Sequence, residues 1–246
     1  MQPELKPVRT DDQGFGRGSS YEPQDVQDVA YSTPESQKVL RNTYLLLALT
    51  MVPTVIGAYI GMATSSIIMA SPIISSLVML AAVIGLQFAI AANRNSGLGV
   101  ALLLLMTGLL GWWLGPILNV ALSMKNGMGL VGYAAVGTGV IFFAMAALSQ
   151  TIKRDLAFMG KFLFVGMIVA LLAMVANMFF QIPALSLAIS AIVVVIFSLF
   201  LLHDVSRIVN GGETNYIMAT TGVYMSLFNI FANLLQLLMA LTGERD

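Results

Sequence analysis

Long apolar stretches, broken by short polar joints, dominate the chain from Tyr44 onward. A membrane-crossing helix needs about 20 predominantly apolar residues, because each adds about 1.5 Å across a hydrocarbon layer about 30 Å thick. Seven stretches meet that length: Tyr44–Met62, Ile73–Ala92, Gly97–Leu118, Leu130–Ser149, Phe162–Phe180, Ala184–Leu202 and Ile217–Thr242. None carries a charge, which would cost about 2.5–3.5 kcal/mol at a helix centre. The seventh is the most polar, with Asn229, Asn233 and Gln236, so it either spans the bilayer or re-enters it. Joints such as Gln181-Ile182-Pro183 are short, and Pro breaks a helix. Short joints make neighbours antiparallel. The pattern therefore predicts an all-α integral membrane protein, a compact bundle of seven transmembrane helices.

Composition supports this. The 246 residues are 58% hydrophobic and 10% charged, with mean hydropathy +0.86. Soluble domains carry roughly 25% charged residues, so this chain cannot cover a water-facing surface. Zero net charge suggests no nucleic-acid partner. The absence of Cys excludes disulfides and thiolate metal sites. Residues 1–37 differ from the rest. They are polar and hold seven of the twelve acids, from Glu4 to Glu35. With little apolar surface to offset ordering entropy, they are expected to form a disordered tail rather than a cleavable signal. Residues 38–246 form the membrane domain.

Lys and Arg near the span ends set the orientation. With the N-terminus in the cytosol, that side carries Lys38, Arg41, Arg94, Lys153, Arg154, Lys161 and Arg207, against Lys125 and Arg245 opposite. The N-terminus is thus expected in the cytosol and, with seven spans, the C-terminus in the periplasm.

Candidate chemistry is sparse. Gly127, Gly129 and Gly132 fit a dinucleotide-binding pattern by letter, but no strand precedes them. Gly57 and Gly61, and Gly111 and Gly115, are small-residue pairs one turn apart, expected to serve close helix packing inside the bundle more than homodimerisation. His203, Asp204 and Arg207 follow the sixth span. Asp204 and Arg207, at i and i+3, can pair on one helical face. A boundary charge pair and an ionisable gate are both consistent with that spacing, and intramembrane acids default to functional hypotheses. His203 suits either a polar anchor or a group titrating near neutral pH. Asn177, Tyr224, Ser226, Asn229 and Asn233 are interior polar candidates, expected to bond between helices more than to line an ion path. The 16 Met residues suggest adaptable packing. No nucleophile, base and orienting group can be assembled, so no enzyme, cofactor or metal centre is expected; Asp204 is the sole weak candidate for calcium.

Several separate motifs together resemble one family. They are Lys38-Val39-Leu40-Arg41-Asn42-Thr43-Tyr44, Leu114-Gly115-Pro116-Ile117-Leu118-Asn119, Gln181-Ile182-Pro183-Ala184-Leu185, Gly211-Gly212-Glu213-Thr214-Asn215-Tyr216 and Tyr224-Met225-Ser226-Leu227-Phe228-Asn229-Ile230-Phe231. In order and spacing they resemble the Bax inhibitor-1 family, in its bacterial YccA-like branch, over about residues 38–242. The resemblance implies a seven-helix fold in the bacterial inner membrane that binds and modulates, by inhibition, the membrane protease FtsH. The family's calcium-leak branch has a pH-sensitive pair of acids in its last two helices. Asp204 matches the first and Ser226 stands at the second, so a shared-proton carboxylate pair is not available here. The alternative function is a pH-sensitive leak for calcium or protons, with Asp204 in the gate.

Overall fold

The computed structural model describes residues 34–152 and 157–243. The expected tail therefore lies outside the described residues, except for its last four. Those four are helical: Pro34, a residue favoured in a first helical turn, opens the first helix.

The described chain is helical, with no strand among its described residues. In order it forms α1 (Pro34–Ala63), α2 (Ser65–Ala70), α3 (Pro72–Ala92), α4 (Gly97–Trp113), α5 (Gly115–Ser123), α6 (Gly127–Thr151), α7 (Ala157–Phe180), α8 (Pro183–Val209) and α9 (Tyr216–Gly243). Since α4 and α5 run on through Leu114 as one span, seven segments are long and apolar enough to cross a membrane. Their surface fits lipid. Leu45, Phe88, Phe143 and Phe162 are all at least 65% exposed, among many other large apolar side chains. Water-soluble monomers do not expose apolar surface on this scale. The protein is a seven-span helical membrane protein.

The boundaries differ from expectation at two informative places. First, α8 continues to Val209, seven residues past the end expected from hydropathy. His203, Asp204 and Arg207 are thus within the helix rather than after it. Second, α9 is one unbroken helix of 28 residues, about 42 Å long. A re-entrant segment would need a turn part-way, and α9 has none.

Helix α9 is the hub. It packs against α1, α3, α4, α5, α6 and α8. The main core gathers Leu46 of α1, Leu103 and Met106 of α4, Leu201 of α8, and Val223, Tyr224 and Ile230 of α9. At the periphery, α7 packs substantially against α8 alone.

The seam between α1 and α4–α5 is the tightest. A side chain at Gly57 would run into the Gly108 carbonyl, and one at Gly61 into the Trp112 carbonyl. In return, a side chain at Gly111 would meet the Thr54 carbonyl, and one at Gly115 the backbone of Gly61. The two small-residue pairs read from the sequence therefore face each other within one chain. In lipid, where apolar burial gives no drive, such backbone-level contact is what holds helices together. Polar clasps finish the seam: Trp112 Nε1 donates to Thr64 Oγ1 at 2.8 Å, and Asn119 Nδ2 donates to the Met62 carbonyl at 2.8 Å. The glycines of the dinucleotide-like pattern open α6, and Gly127 abuts the Ala121 carbonyl.

Candidate functional site

The titratable residues collect where α8 ends and α9 begins. The α8 terminus is a glycine cap. Gly211 takes φ +75°, the left-handed conformation that glycine adopts without strain. Gly212 N–H then donates to the Arg207 carbonyl at 2.8 Å, and Gly211 N–H to the Ile208 carbonyl at 3.3 Å. These are the two bonds of a Schellman motif, which satisfies carbonyls left open at a helix end.

The next residues start α9. Asn215 Oδ1 accepts the N–H groups of Ile217 and Met218, both at 3.0 Å, as an N-cap. Its Nδ2 donates to the Arg94 carbonyl and to Asn95 Oδ1, each at 2.8 Å, tying this turn to the α3–α4 turn. Glu213 Oε1 accepts the Asn215 N–H at 2.9 Å, and Glu213 Oε2 pairs with the Arg207 guanidinium at 3.5 Å. The motif from Gly211 to Tyr216 is thus a turn that caps both helices.

This arrangement corrects the expected pairing of Asp204 with Arg207. Arg207 bends toward the turn, where it meets Glu213 and the Gly212 carbonyl. Spacing of three permits a pair but does not compel it, and the turn offers Arg207 both a carboxylate and a carbonyl.

Asp204 bonds instead to its neighbour, with His203 Nδ1 to Asp204 Oδ1 at 3.2 Å. The two side chains then point to different helices, and each enters a glycine notch. A methyl group on Gly160 of α7 would come within 2.7 Å of His203 Nε2. A methyl group on Gly222 of α9 would come within 2.7 Å of Asp204 Oδ2. The Asp204 side chain keeps 20% of its surface exposed and His203 keeps 10%. One turn deeper on the same face of α9 lies Ser226. It is buried. Asp204 and Ser226 are therefore aligned along α9, with Gly222 as the gap that admits the carboxylate.

The other interior polar candidates separate into two kinds. Tyr224 joins three helices: its hydroxyl pairs with Thr54 Oγ1 of α1 at 2.8 Å and donates to the Thr107 carbonyl of α4 at 3.3 Å. Asn229 and Asn233 bond within α9 instead. Their Nδ2 groups donate to the Met225 and Asn229 carbonyls, each at 2.8 Å. Asn177 also acts locally, with its Oδ1 accepting the Ile182 N–H at 3.1 Å just past α7. The expected interhelical bonding therefore holds for Tyr224 and not for the three Asn residues. A short amide side chain can reach the carbonyl one turn back, which removes its need for a neighbour. Gln236, with a longer arm, does cross over, donating to Ser186 Oγ of α8 at 2.8 Å.

Gly160, Gly222 and Thr54 are not singled out by the sequence, and Glu213 enters there only as part of a family motif. Single glycines carry no spacing signal, and Thr54 gains its meaning from Tyr224, 170 positions away. Among the described residues, no three His, Cys, Asp or Glu side chains stand together as a metal site. Asp204 contributes one carboxylate, whereas calcium takes 6–8 oxygens.

Known proteins add a family to this geometry. Residues 36–243 match the family model described as "Inhibitor of apoptosis-promoting Bax1". An Escherichia coli K12 protein described as "Modulator of FtsH protease YccA" is 43% identical over 204 residues, covering 82% of this chain and 90% of that one. A Vibrio cholerae membrane protein is 41% identical over 206 residues, covering 84% and 91%. A Neisseria meningitidis protein is 38% identical over 223 residues, covering 89% and 98%. With the family match running from the first turn of α1 to the last residue of α9, and these relatives covered over nearly their whole length, the chain belongs to the Bax inhibitor-1 family of multi-pass membrane proteins.

Proposed function

We propose that this protein is an inner-membrane regulator that binds the ATP-dependent membrane protease FtsH and restrains it. The observation that carries this reading is its 43% identity, over 90% of the relative's length, to a protein described as a modulator of that protease. The fold supplies a physical route. A protease that extracts its substrates from the bilayer must separate their helices. Here α1 and α4–α5 meet through glycines with backbone against backbone, and α9 ties six helices together. Such a bundle resists extraction and so occupies the enzyme. In this reading the polar segment before α1 is what the protease engages.

The test is crosslinking in native membranes with partner identification, followed by a degradation assay. FtsH is recovered with the full chain, and turnover of a reporter substrate slows as this protein is added. Removing residues 2–33 reduces association and the protein's own degradation. Absence of the protease from the crosslinked set, with this protein verified in the membrane, sinks the reading.

A second reading is favoured by one observation, the Asp204 carboxylate lodged at Gly222 one turn above the buried Ser226. In it, the protein is a pH-sensitive leak for calcium or protons gated at Asp204, with His203, Arg207 and Ser226 around the gate. Liposomes holding the protein would pass calcium in a pH-dependent way, and Asp204→Asn would alter the flux. Zero flux at every pH, with insertion verified, removes this reading.

A further inference from the structure

A cleft of about 780 Å³ opens between α7 and α8, at the end of the bundle where α8 terminates. Each helix lines it with a short ladder. On α7, Lys161 stands at the rim, with Phe164 and Val165 one turn deeper. On α8, Arg207 stands at the rim, with buried His203 one turn deeper and Phe200 below it. Spacings of three and four place each ladder on a single helix face. The cleft is therefore cationic at its mouth and apolar below.

Its charge is unbalanced. No acid lines it. Glu213 pairs with Arg207 at 3.5 Å, yet 45% of the Arg207 side chain remains exposed. Lys161 is exposed and has no ion pair with the described residues. The cleft also opens sideways, because α7 has no substantial helix neighbour besides α8. Phe164 and Val165 are 54% and 59% exposed, so the apolar wall continues into the surface that faces lipid.

We propose that this cleft is a binding site for an anionic phospholipid. The phosphate of the headgroup sits between Lys161 and Arg207, and an acyl chain lies along Phe164, Val165 and Phe200. The charge pattern selects this occupant. A soluble anion would use only the rim and leave the apolar wall unfilled. A zwitterionic lipid would fill the wall but bring no net charge to two cations. Basic pockets between membrane helices are known to hold anionic headgroups in this manner. The bound lipid would add a clamp on α7, which packs on α8 through the Gly160 notch and a small cluster formed by Ala170 with Ile189 and Val193.

The test uses the full chain in neutral detergent, with lipid retention counted by native mass spectrometry. The added probes are dioleoyl-phosphatidylglycerol, dioleoyl-phosphatidylcholine or inorganic phosphate. Phosphatidylglycerol is expected to be retained and phosphatidylcholine to wash off. Lys161→Gln should weaken retention about fivefold, the factor expected for one cation near a membrane surface. Lys161→Arg should preserve it. Lys125→Gln removes the same charge at the opposite end of the bundle and should leave retention unchanged. Equal loss in Lys161→Gln and Lys125→Gln would overturn the site, as would equal retention of the two lipids. Displacement by inorganic phosphate or by a tetraglutamate peptide at the lipid's concentration would show a site for soluble anions or acidic chains, and would overturn the lipid assignment.

Discussion

The α1–α4 seam and the α8–α9 end both depend on glycine, but the glycines admit different things. At the seam, Gly57, Gly61, Gly111 and Gly115 each admit the backbone of the opposite helix. At the α8 end, Gly160 admits an imidazole and Gly222 admits a carboxylate. In the first case the missing side chain brings two helices together. In the second it makes room for a titratable group inside a membrane bundle. A backbone cannot retreat without moving its helix, whereas a side chain can rotate away. The seam is therefore the rigid part of the molecule, and the α8 end is the part whose chemistry can change while the fold persists.

Substitutions can break that distinction, beginning with the harshest. Gly61→Leu forces α1 away from Trp112 and Gly115. It should cost about 3 kcal/mol, the upper end for overpacking, seen as a large drop in the unfolding temperature in detergent. A drop no larger than that of a surface substitution would mean that the backbones do not meet. Gly222→Ala should cost less, about 1–2 kcal/mol, because Asp204 can move. The double substitution with Asp204→Ala should recover about 1 kcal/mol as a coupling term. Gly111→Ala sharpens the contrast: its obstacle is the Thr54 carbonyl, which no side-chain truncation removes, so no such rescue is expected from Thr54→Ala.

Smaller effects test the polar interior. Tyr224→Phe removes the hydroxyl that joins α9 to α1 and α4. Interhelical hydrogen bonds in membranes average about 0.6 kcal/mol, and the unfolding temperature should fall by a correspondingly small amount. Asn233→Leu should change stability least, by less than Tyr224→Phe, since Asn233 bonds only its own helix. A larger loss for Asn233→Leu than for Tyr224→Phe would reverse the assignment of which polar residue links helices.

Much of this fold is legible in the sequence because hydrocarbon imposes a local rule. Each span must be apolar over its own length, so Phe162–Phe180 and its counterparts announce themselves without knowledge of the rest. The small-residue pairs are legible for a related reason, since the spacing from Gly57 to Gly61 is one turn of one helix. What the local pattern cannot contain is the partner. Nothing near Gly222 in sequence signals the carboxylate of Asp204, and nothing near Arg207 says that Glu213 outcompetes Asp204 for it. The end of α8 escapes the hydropathy pattern for another reason. Hydropathy stops a span at the first charge, while the hydrogen-bonded helix continues until Gly211 caps it. The Asn residues of α9 look like bridges by composition, and only their geometry shows each one satisfied by the carbonyl behind it.

The central position of α9 also bears on how the molecule is made. Polypeptides emerge from the ribosome starting at the N-terminus, so the helix that six others touch reaches the bilayer after all of them. Until then, Thr54 has no Tyr224 to meet and Asp204 has no notch to enter. Biogenesis is in this sense back-loaded: the earlier helices wait as an open scaffold, and the insertion of α9 closes it.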